Sequence, residues 1–242
     1  GTGALLSPSE VRGMFDRIVR RYDLMNRLMT GGRDVAWRRK AATIAIGSGA
    51  ERVLDVATGT GDLAIELREQ GVPHVVGLDF SRGMIADADT KRHARHATCL
   101  DLLQGDAMAL PFSDCSFDAL TIAWGLRNLP DYARGVAEMA RVLKPEGRLV
   151  ILEMTPLRRP VLRKMFNLYF HHAVPIIGAL VSGDRDAYRY LPDSVGAFPN
   201  ADRLAGMMRA AGLRNVRYIL LGGGTVALHV GIKNADATGK RA

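Results

Sequence analysis

The stretch that most constrains this chain is Val53-Leu54-Asp55-Val56-Ala57-Thr58-Gly59-Thr60-Gly61-Asp62-Leu63. It reads as a short apolar strand, a glycine turn and the start of a helix running to about Gln70. Gly59 and Gly61 let the backbone turn sharply and pass close to a ligand where a Cβ would obstruct it. Asp62 suits the helix N-terminus, where a carboxylate meets the positive end of the dipole. Open α/β sheets bind nucleotide-like ligands in such a crevice, at the carboxyl ends of their strands.

The glycines alone leave two ligands open. Gly59-Thr60-Gly61-Asp62-Leu63-Ala64 also satisfies the dinucleotide pattern, with Asp79 near the expected ribose-binding distance. Charge separates them: a pyrophosphate at this turn would face Asp55 and Asp62 across a poorly screened gap. S-adenosylmethionine brings an ammonium and a sulfonium instead, and both favour nearby carboxylates. Two further acidic positions follow later strands. Asp79 can accept both ribose hydroxyls, and Asp106 with the Ala107 backbone can hold an adenine edge. One such aspartate is explained equally well as a helix cap. Asp55, Asp79 and Asp106 at successive crossovers beside a glycine turn favour the methyl donor.

At 242 residues the chain can bury a full core, and it is read as one domain. The divisions are a helical cap at 1–50, a donor-binding core at 51–155, an acceptor-covering insertion at 156–195, the end of the core at 196–233 and a loose tail at 234–242. No apolar run reaches the ~18–20 residues of a membrane span, and no signal-peptide pattern opens the chain, so a cytoplasmic location is expected. Cys99 and Cys115 are the two cysteines, without metal-ligand spacing; reduced, buried thiols are expected, and no metal. Net charge is +5 over residues 1–50, −5 over 51–155 and +8 over 156–242. The acidic centre suits a cationic ligand. The basic flanks are either a solvated surface or a face towards anionic lipid or nucleic acid.

Along the chain, Ser7-Pro8-Ser9-Glu10 is a good helix start, and Val11, Met14, Phe15, Ile18 and Val19 follow at helical spacing. A second helix is predicted over about Asp34–Ile46, ended by Gly47-Ser48-Gly49. Strands are then predicted at His74–Asp79, about Cys99–Gln104, Phe117–Ala123 and Arg148–Glu153, with helices from Ser81 and near Tyr132–Leu143. Lys144-Pro145-Glu146-Gly147 reads as a connection. The 156–195 stretch interrupts the alternation, and an insertion of that size usually covers a site. A helix at Ala201–Ala211 and strands at Arg214–Leu221 and Val226–Ile232 close the chain. Gly222-Gly223-Gly224-Thr225 is short enough to make that last pair an antiparallel hairpin.

The fourth strand ends Ala123-Trp124-Gly125-Leu126-Arg127-Asn128. Gly125 permits close approach to a methyl donor, while Arg127 and Asn128 would point towards an acceptor; the plain alternative for Arg127 is a surface or salt-bridging arginine. The Asn/Asp-Pro-Pro-Tyr/Phe pattern of many methyltransferases acting on base amines is absent here. No aromatic-rich basic platform appears either, so a nucleic-acid partner is not expected. His229, in a strand, reads as a core residue. The donor-site candidates are Asp55, Thr58, Gly59, Thr60, Gly61, Asp79, Phe80, Met84, Asp106, Ala107, Ala123 and Trp124.

These residues resemble a known family, the ubiquinone/menaquinone biosynthesis C-methyltransferases, from about Val11 to Lys233. The more specific matches are Tyr22-Asp23-Leu24-Met25-Asn26, Trp37-Arg38, Gly125-Leu126-Arg127-Asn128 and Tyr188-Arg189-Tyr190-Leu191-Pro192. Gly77-Leu78-Asp79-Phe80-Ser81, Gly105-Asp106-Ala107 and Leu228-His229-Val230-Gly231 add to them. The resemblance implies a Rossmann-like class I S-adenosylmethionine-dependent methyltransferase fold. That fold is α/β, with a seven-stranded, mostly parallel sheet, an antiparallel last strand, N-terminal helices and an insertion after strand five. It implies donor contacts at Thr60, Asp79, Asp106, Ala107 and Ala123, and a prenylated hydroquinone acceptor methylated at a ring carbon. The family often has Phe where Trp124 stands, and Glu-Phe-Ser-x-Pro where this chain has Glu153-Met154-Thr155-Pro156-Leu157.

A hydroquinone carbon becomes nucleophilic once the neighbouring hydroxyl loses its proton, and a free phenol has a pKa of ~10, so the site must stabilise the phenolate. Arg127 is expected to do so, with Asn128 and Tyr190 orienting the oxygens and Asp23, or a water it holds, accepting the proton. The basic insertion and the N-terminal helices are expected to roof the acceptor and to touch membrane lipid. A nicotinamide oxidoreductase, a nucleic-acid methyltransferase and a non-catalytic subunit of a quinone-assembly complex are the rival readings.

Overall fold

The alternation of apolar strands with helical connections produces a single layered sheet. The computed structural model describes residues 30–47, 49–157 and 194–235, together with Glu10, Gly13, Asp23, Leu24, Asn26 and Arg27. In chain order the elements are α1 (Arg33–Ile46), β1 (Arg52–Val56), α2 (Asp62–Glu69), β2 (His74–Asp79), α3 (Arg82–Ala94), β3 (Leu100–Gln104) and β4 (Phe117–Ala123). They continue as α4 (Tyr132–Val142), β5 (Leu143–Met154), α5 (Ala201–Ala210), β6 (Leu213–Leu221) and β7 (Val226–Lys233). The expected first helix around Val11–Val19, most of the 156–195 insertion and most of the 234–242 tail lie outside the described residues.

The strands lie in the order β3-β2-β1-β4-β5-β7-β6. β1 pairs parallel with β2 on one side and with β4 on the other, and β4 pairs parallel with β5. The chain therefore leaves β1 towards one edge of the sheet and leaves β4 towards the other. A crevice opens between two such diverging connections. β7 is antiparallel to both β5 and β6, as the short glycine turn predicts.

Helices cover both faces, so the central strands are apolar nearly throughout rather than alternating. Leu54, Val56, Leu78, Leu120, Ile122 and Ile151 point to one face, against Val136 and Met139 of α4 and Leu204 and Met208 of α5. Val53, Val75, Ala119, Val150 and Leu228 point to the other, against Leu63, Ala64 and Leu67 of α2. Ala41, Ala42 and Ala45 bring α1 onto that face too. Each fully buried Leu, Val or Ile contributes roughly 1.5–3 kcal/mol. An exposed pair such as Arg95–Glu69 adds at most about 1 kcal/mol, so the two cores hold the sheet together.

Three expectations change. Lys144-Pro145-Glu146-Gly147 is not a connection before the fifth strand but part of β5. Phe117 pairs with Leu143, and Ala119 pairs next with Arg148, so the extra residues of β5 are absorbed in a bulge. Gly147 is required there, since a Cβ would stand 2.7 Å from the Lys144 carbonyl oxygen. The cysteines are free but not buried: Cys99 is exposed and Cys115 half-buried. Both sit at turns that enter strands, with φ of 57° and 56°. Asp55 lines a recess beside the glycine turn, as expected, but it is 1% exposed rather than open. Its two oxygens accept from Thr58 Oγ1 and Thr121 Oγ1, each at 2.6 Å. His229 is a core residue as read, with Nε2 2.9 Å from the Ala201 carbonyl oxygen.

Burial pushes the Asp55 carboxyl up to about 6, against the pull of the Thr121 and Thr58 hydroxyls. The folded chain holds this proton more tightly than the unfolded chain, whose aspartates titrate near 3.8. The stability it contributes is complete below that value and is lost as pH rises through about 6. Asp55→Asn keeps a neutral side chain at every pH. Denaturant unfolding of the two proteins should show wild type losing on the order of 2–3 kcal/mol relative to the variant between about pH 4 and pH 8. A pH-independent difference would contradict the protonated, buried Asp55.

Candidate functional site

Two close approaches shape the crevice. Trp124-Gly125, leaving β4, crosses the exit of β1 so tightly that a Cβ on Gly125 would lie 2.4 Å from the Ala57 Cβ. At the glycine turn, Gly61 has φ +84°, and a Cβ there would meet Ala88 of α3 at 3.1 Å. Asp79 at the tip of β2 then ties the turn down. Its Oδ2 accepts from the Gly59 N–H at 2.8 Å and its Oδ1 from the Ser81 N–H at 2.9 Å. Ser81 caps α3 by accepting from the Met84 N–H at 3.0 Å, as the sequence predicts.

Between these elements lies an open cleft of about 870 Å³ counted out to its mouth, solvent included. Gly59, Asp79, Phe80, Met84, Asp106, Ala107, Ala123, Trp124 and Asn128, all singled out from the sequence, line it. Met84 and Ala107 are buried, Phe80 and Asp106 exposed. Asp106 Oδ1 accepts from the Met108 N–H at 2.8 Å, which fixes the loop after β3. Leu78, Met108, Leu129 and Pro130 complete a mostly apolar lining.

A smaller polar recess continues from this cleft and shares Ala57, Gly59, Ala123 and Trp124 with it. Its walls include Asp23, Asn26, Arg38, Thr58, Thr60 and Asp62. Lys91 of α3 reaches into this cluster: its Nζ donates to Asp23 and Asp62 at 2.6 Å each and to Thr60 Oγ1 at 2.8 Å. Thr60 Oγ1 donates to Asp23 Oδ1 at 2.7 Å. Arg38 of α1 bonds Asp62 at 3.0 Å and pairs with Asp34, which is fully buried and also accepts from Thr30 Oγ1 at 2.9 Å. Asp62 is therefore not an open carboxylate beside the ligand, as read from sequence, but one shared by two cations. Asp23, expected as a proton acceptor, has both oxygens engaged by Lys91 and Thr60. Among the described residues the cluster counts three carboxylates, Asp23, Asp34 and Asp62, against two cations, Lys91 and Arg38.

Two amides of the glycine turn are also taken. The Gly59 N–H goes to Asp79, and the Gly61 N–H to the Thr58 carbonyl oxygen at 2.9 Å. A pyrophosphate site relies on such amides being open to the ligand. The turn thus suits a ligand with a cationic end rather than a dinucleotide.

After β4 a 3₁₀ turn over Leu126–Asn128 buries Arg127, 8% exposed. Arg127 Nη1 donates to Glu153 Oε1 at 2.7 Å and to the Trp124 carbonyl oxygen at 2.6 Å, and its backbone N–H to Glu153 Oε2 at 3.2 Å. The salt-bridging alternative is the observed one. Glu153, 1% exposed on β5, matches the charge that was expected to meet an acceptor alone. Asn128 lines the cleft, and its Oδ1 is buried with no hydrogen-bond partner among the described residues. Tyr190 lies outside them. Sequence reasoning missed Lys91, Asp34 and Glu153. The spacing of Asp34 and Arg38, one helical turn apart, was the one local signal available.

Removing one partner of a buried ion pair strands the other, at a cost of about 3–5 kcal/mol. Glu153→Ala should lose that much in a urea melt, while the double replacement Arg127→Leu/Glu153→Leu should lose less. A loss under ~1 kcal/mol for the single variant would contradict the burial of this pair.

Comparison with known proteins agrees with this geometry. The profile described as the ubiE/COQ5 methyltransferase family matches residues 5–233. A demethylmenaquinone methyltransferase of Thermus thermophilus is 48% identical over 219 residues, 90% of this chain and 99% of the relative. One from Deinococcus radiodurans is 50% identical over 224 residues, 92% of each. Among solved structures, an S-adenosylmethionine-dependent methyltransferase of Thermotoga maritima, described as a possible histamine N-methyltransferase, superposes with a TM-score of 0.63 at 19% identity. It covers 92% of this chain and 99% of that one, and shows that the fold is shared. The chain, a methyltransferase with its crevice at the divergence of β1 and β4, belongs to the ubiE/COQ5 methyltransferase family.

Proposed function

We propose that the chain takes S-adenosylmethionine in this crevice and methylates a ring carbon of a prenylated hydroquinone, demethylmenaquinol before others. The observation that carries the reading is the two-armed crevice: an apolar arm with carboxylates at its far end joins a carboxylate-lined recess at Ala57, Gly59, Ala123 and Trp124. The names of the relatives from Thermus and Deinococcus support the choice of acceptor.

The residues present fit such a donor. Asp79 lines the cleft with its carboxylate oriented by the Gly59 and Ser81 amides, an acceptor chemistry that suits two vicinal ribose hydroxyls. Asp106 and Ala107 stand where an adenine edge needs an acceptor and a backbone donor. Phe80 and Met84 give the ring apolar walls. In the recess, Thr60 and Asp23, held by Lys91, would meet the ammonium of the methionine end. When bound, this donor supplies a methyl group on an electrophilic sulfur.

The protein's own contribution is alignment, exclusion of water and control of one proton. The acceptor hydroxyl must give up its proton to solvent for the neighbouring carbon to attack the methyl group, and the ring hydrogen on that carbon then leaves as a proton that restores the hydroxyl. Asn128, which lines the cleft and whose Oδ1 has no partner among the described residues, is proposed to accept that hydroxyl's hydrogen bond, and Tyr190 to orient the same oxygens. Arg127, neutralised by Glu153, fixes the Trp124 carbonyl and so the shape of the β4 exit. The prenyl tail of the acceptor resides in a bilayer, and the basic flanks at 1–50 and 156–242 are proposed to rest on its anionic surface. Among the described residues no helix is long and apolar enough to cross a membrane.

Labelled methyl transfer from S-adenosylmethionine to a panel of reduced quinones tests the reading. Demethylnaphthoquinols should be methylated fastest, and no incorporation into any reduced quinone would overturn it. Asp79→Asn should raise the KM for the donor about tenfold or more with a smaller effect on kcat, since a charge-assisted ribose contact is worth ~1.5–3 kcal/mol. Vesicle binding should fall when Arg158, Arg159, Arg163 and Lys164 are neutralised together.

A further inference from the structure

Trp124 is held in an unfavourable backbone conformation, with φ +61°, where a bulky side chain is rarely found. The surrounding structure fixes it there from both sides. Its N–H donates to the Leu152 carbonyl oxygen at 2.9 Å, and its own carbonyl accepts from Arg127 Nη1 at 2.6 Å. The side chain is 8% exposed and lines both arms of the crevice, and its ring centroid lies 6.2 Å from that of Trp37. Its indole Nε1 is buried without a hydrogen-bond partner among the described residues, although an indole N–H can only donate and ordinarily finds an acceptor when buried.

A strained backbone and an unsatisfied buried donor at one residue mark a group kept for a ligand. Asn128 Oδ1, an unsatisfied buried acceptor, lines the apolar arm beside it. A donor on the residue shared by the two arms and an acceptor on the wall of the apolar arm, both without partners among the described residues, match an oxygen that arrives with, or has just lost, a proton. A carboxylate of the methionine end would use the donor alone and would leave Asn128 unmatched. We infer that the Trp124 indole N–H donates to the ring oxygen of the aromatic acceptor beside the carbon that is methylated. Trp124 is thereby an acceptor-recognition residue rather than only a wall of the donor site.

This rests on the proposed donor and acceptor, because the junction of the arms is where the reacting carbon must approach. A donor to that oxygen stabilises its ionised form and lowers the pH at which the acceptor becomes reactive. The test is Trp124→Phe, together with replacement of Trp124 by 3-benzothienylalanine, which keeps the bicyclic shape and removes only the N–H. Methyl transfer to a reduced demethylnaphthoquinone is measured across pH, and affinity for S-adenosylhomocysteine by calorimetry.

For both variants kcat/KM for the acceptor should fall tenfold or more, with the rising limb of its pH profile moved up by about one unit. For the 3-benzothienylalanine variant, which keeps the wall of the donor site, affinity for S-adenosylhomocysteine should be unchanged. An equal loss of that affinity would assign the N–H to the donor, and an unaltered pH profile would reduce Trp124 to packing; either overturns the inference. If instead the wild type bound S-adenosylhomocysteine in neither arm and methylated no reduced quinone, the proposed function itself would fall. That result differs from wild type and variants behaving alike.

Discussion

Everything at the site depends on one steric constraint, the crossing of two backbones where β1 and β4 end. Parallel neighbours whose connections leave in opposite directions must separate at their carboxyl ends, and the gap is the crevice. Here the separation is close to its lower limit. Gly125 passes Ala57 with no room for a Cβ, and Ala57 itself has φ 51°. The glycine turn, Asp79 and Trp124 take their positions from that crossing. The cores on the two faces of the sheet supply the burial that offsets its strain.

Charge at the crevice is organised in linked pairs rather than as bare carboxylates. Lys91 and Arg38 draw Asp23, Asp34 and Asp62 into one cluster that joins an N-terminal helical residue, α1, the glycine turn and α3. The cluster holds the cap against the donor site, with three carboxylates to two cations among the described residues. On the far side Glu153 does the same for Arg127. A site that must hold a sulfonium beside a developing phenolate gains from groups whose orientation is already fixed, since fixed dipoles and charges need no reorganisation during reaction.

Much of the fold was legible because its signals are local. The glycine turn, the Ser81 cap and the run of apolar strands each follow from neighbouring residues, and the antiparallel hairpin from a four-residue turn. The lining of the cleft was legible for the same reason: Asp79, Asp106 and Trp124 follow strand ends that the pattern locates. What the sequence concealed is pairing over long separations. Lys91 lies 29 residues from Asp62 and 68 from Asp23, and Glu153 lies 26 from Arg127. No periodicity announces such contacts. The same blindness made Asp55 and Asp62 look like open carboxylates, since residues beside a glycine turn look exposed until the hydroxyls and cations that claim them are seen. The β5 bulge escaped because Lys144-Pro145-Glu146-Gly147 has turn composition while its flanks still pair with β4.

The central claim is that a crevice with its glycine amides already satisfied and a carboxylate-lined recess accepts an adenosyl sulfur compound with an ammonium end and refuses a diphosphate. Calorimetric titration of the purified chain with S-adenosylhomocysteine and, separately, with NAD measures this directly. The account predicts saturable one-to-one binding of the sulfur compound and no heat with NAD. Binding of NAD, or no binding of S-adenosylhomocysteine, would contradict it.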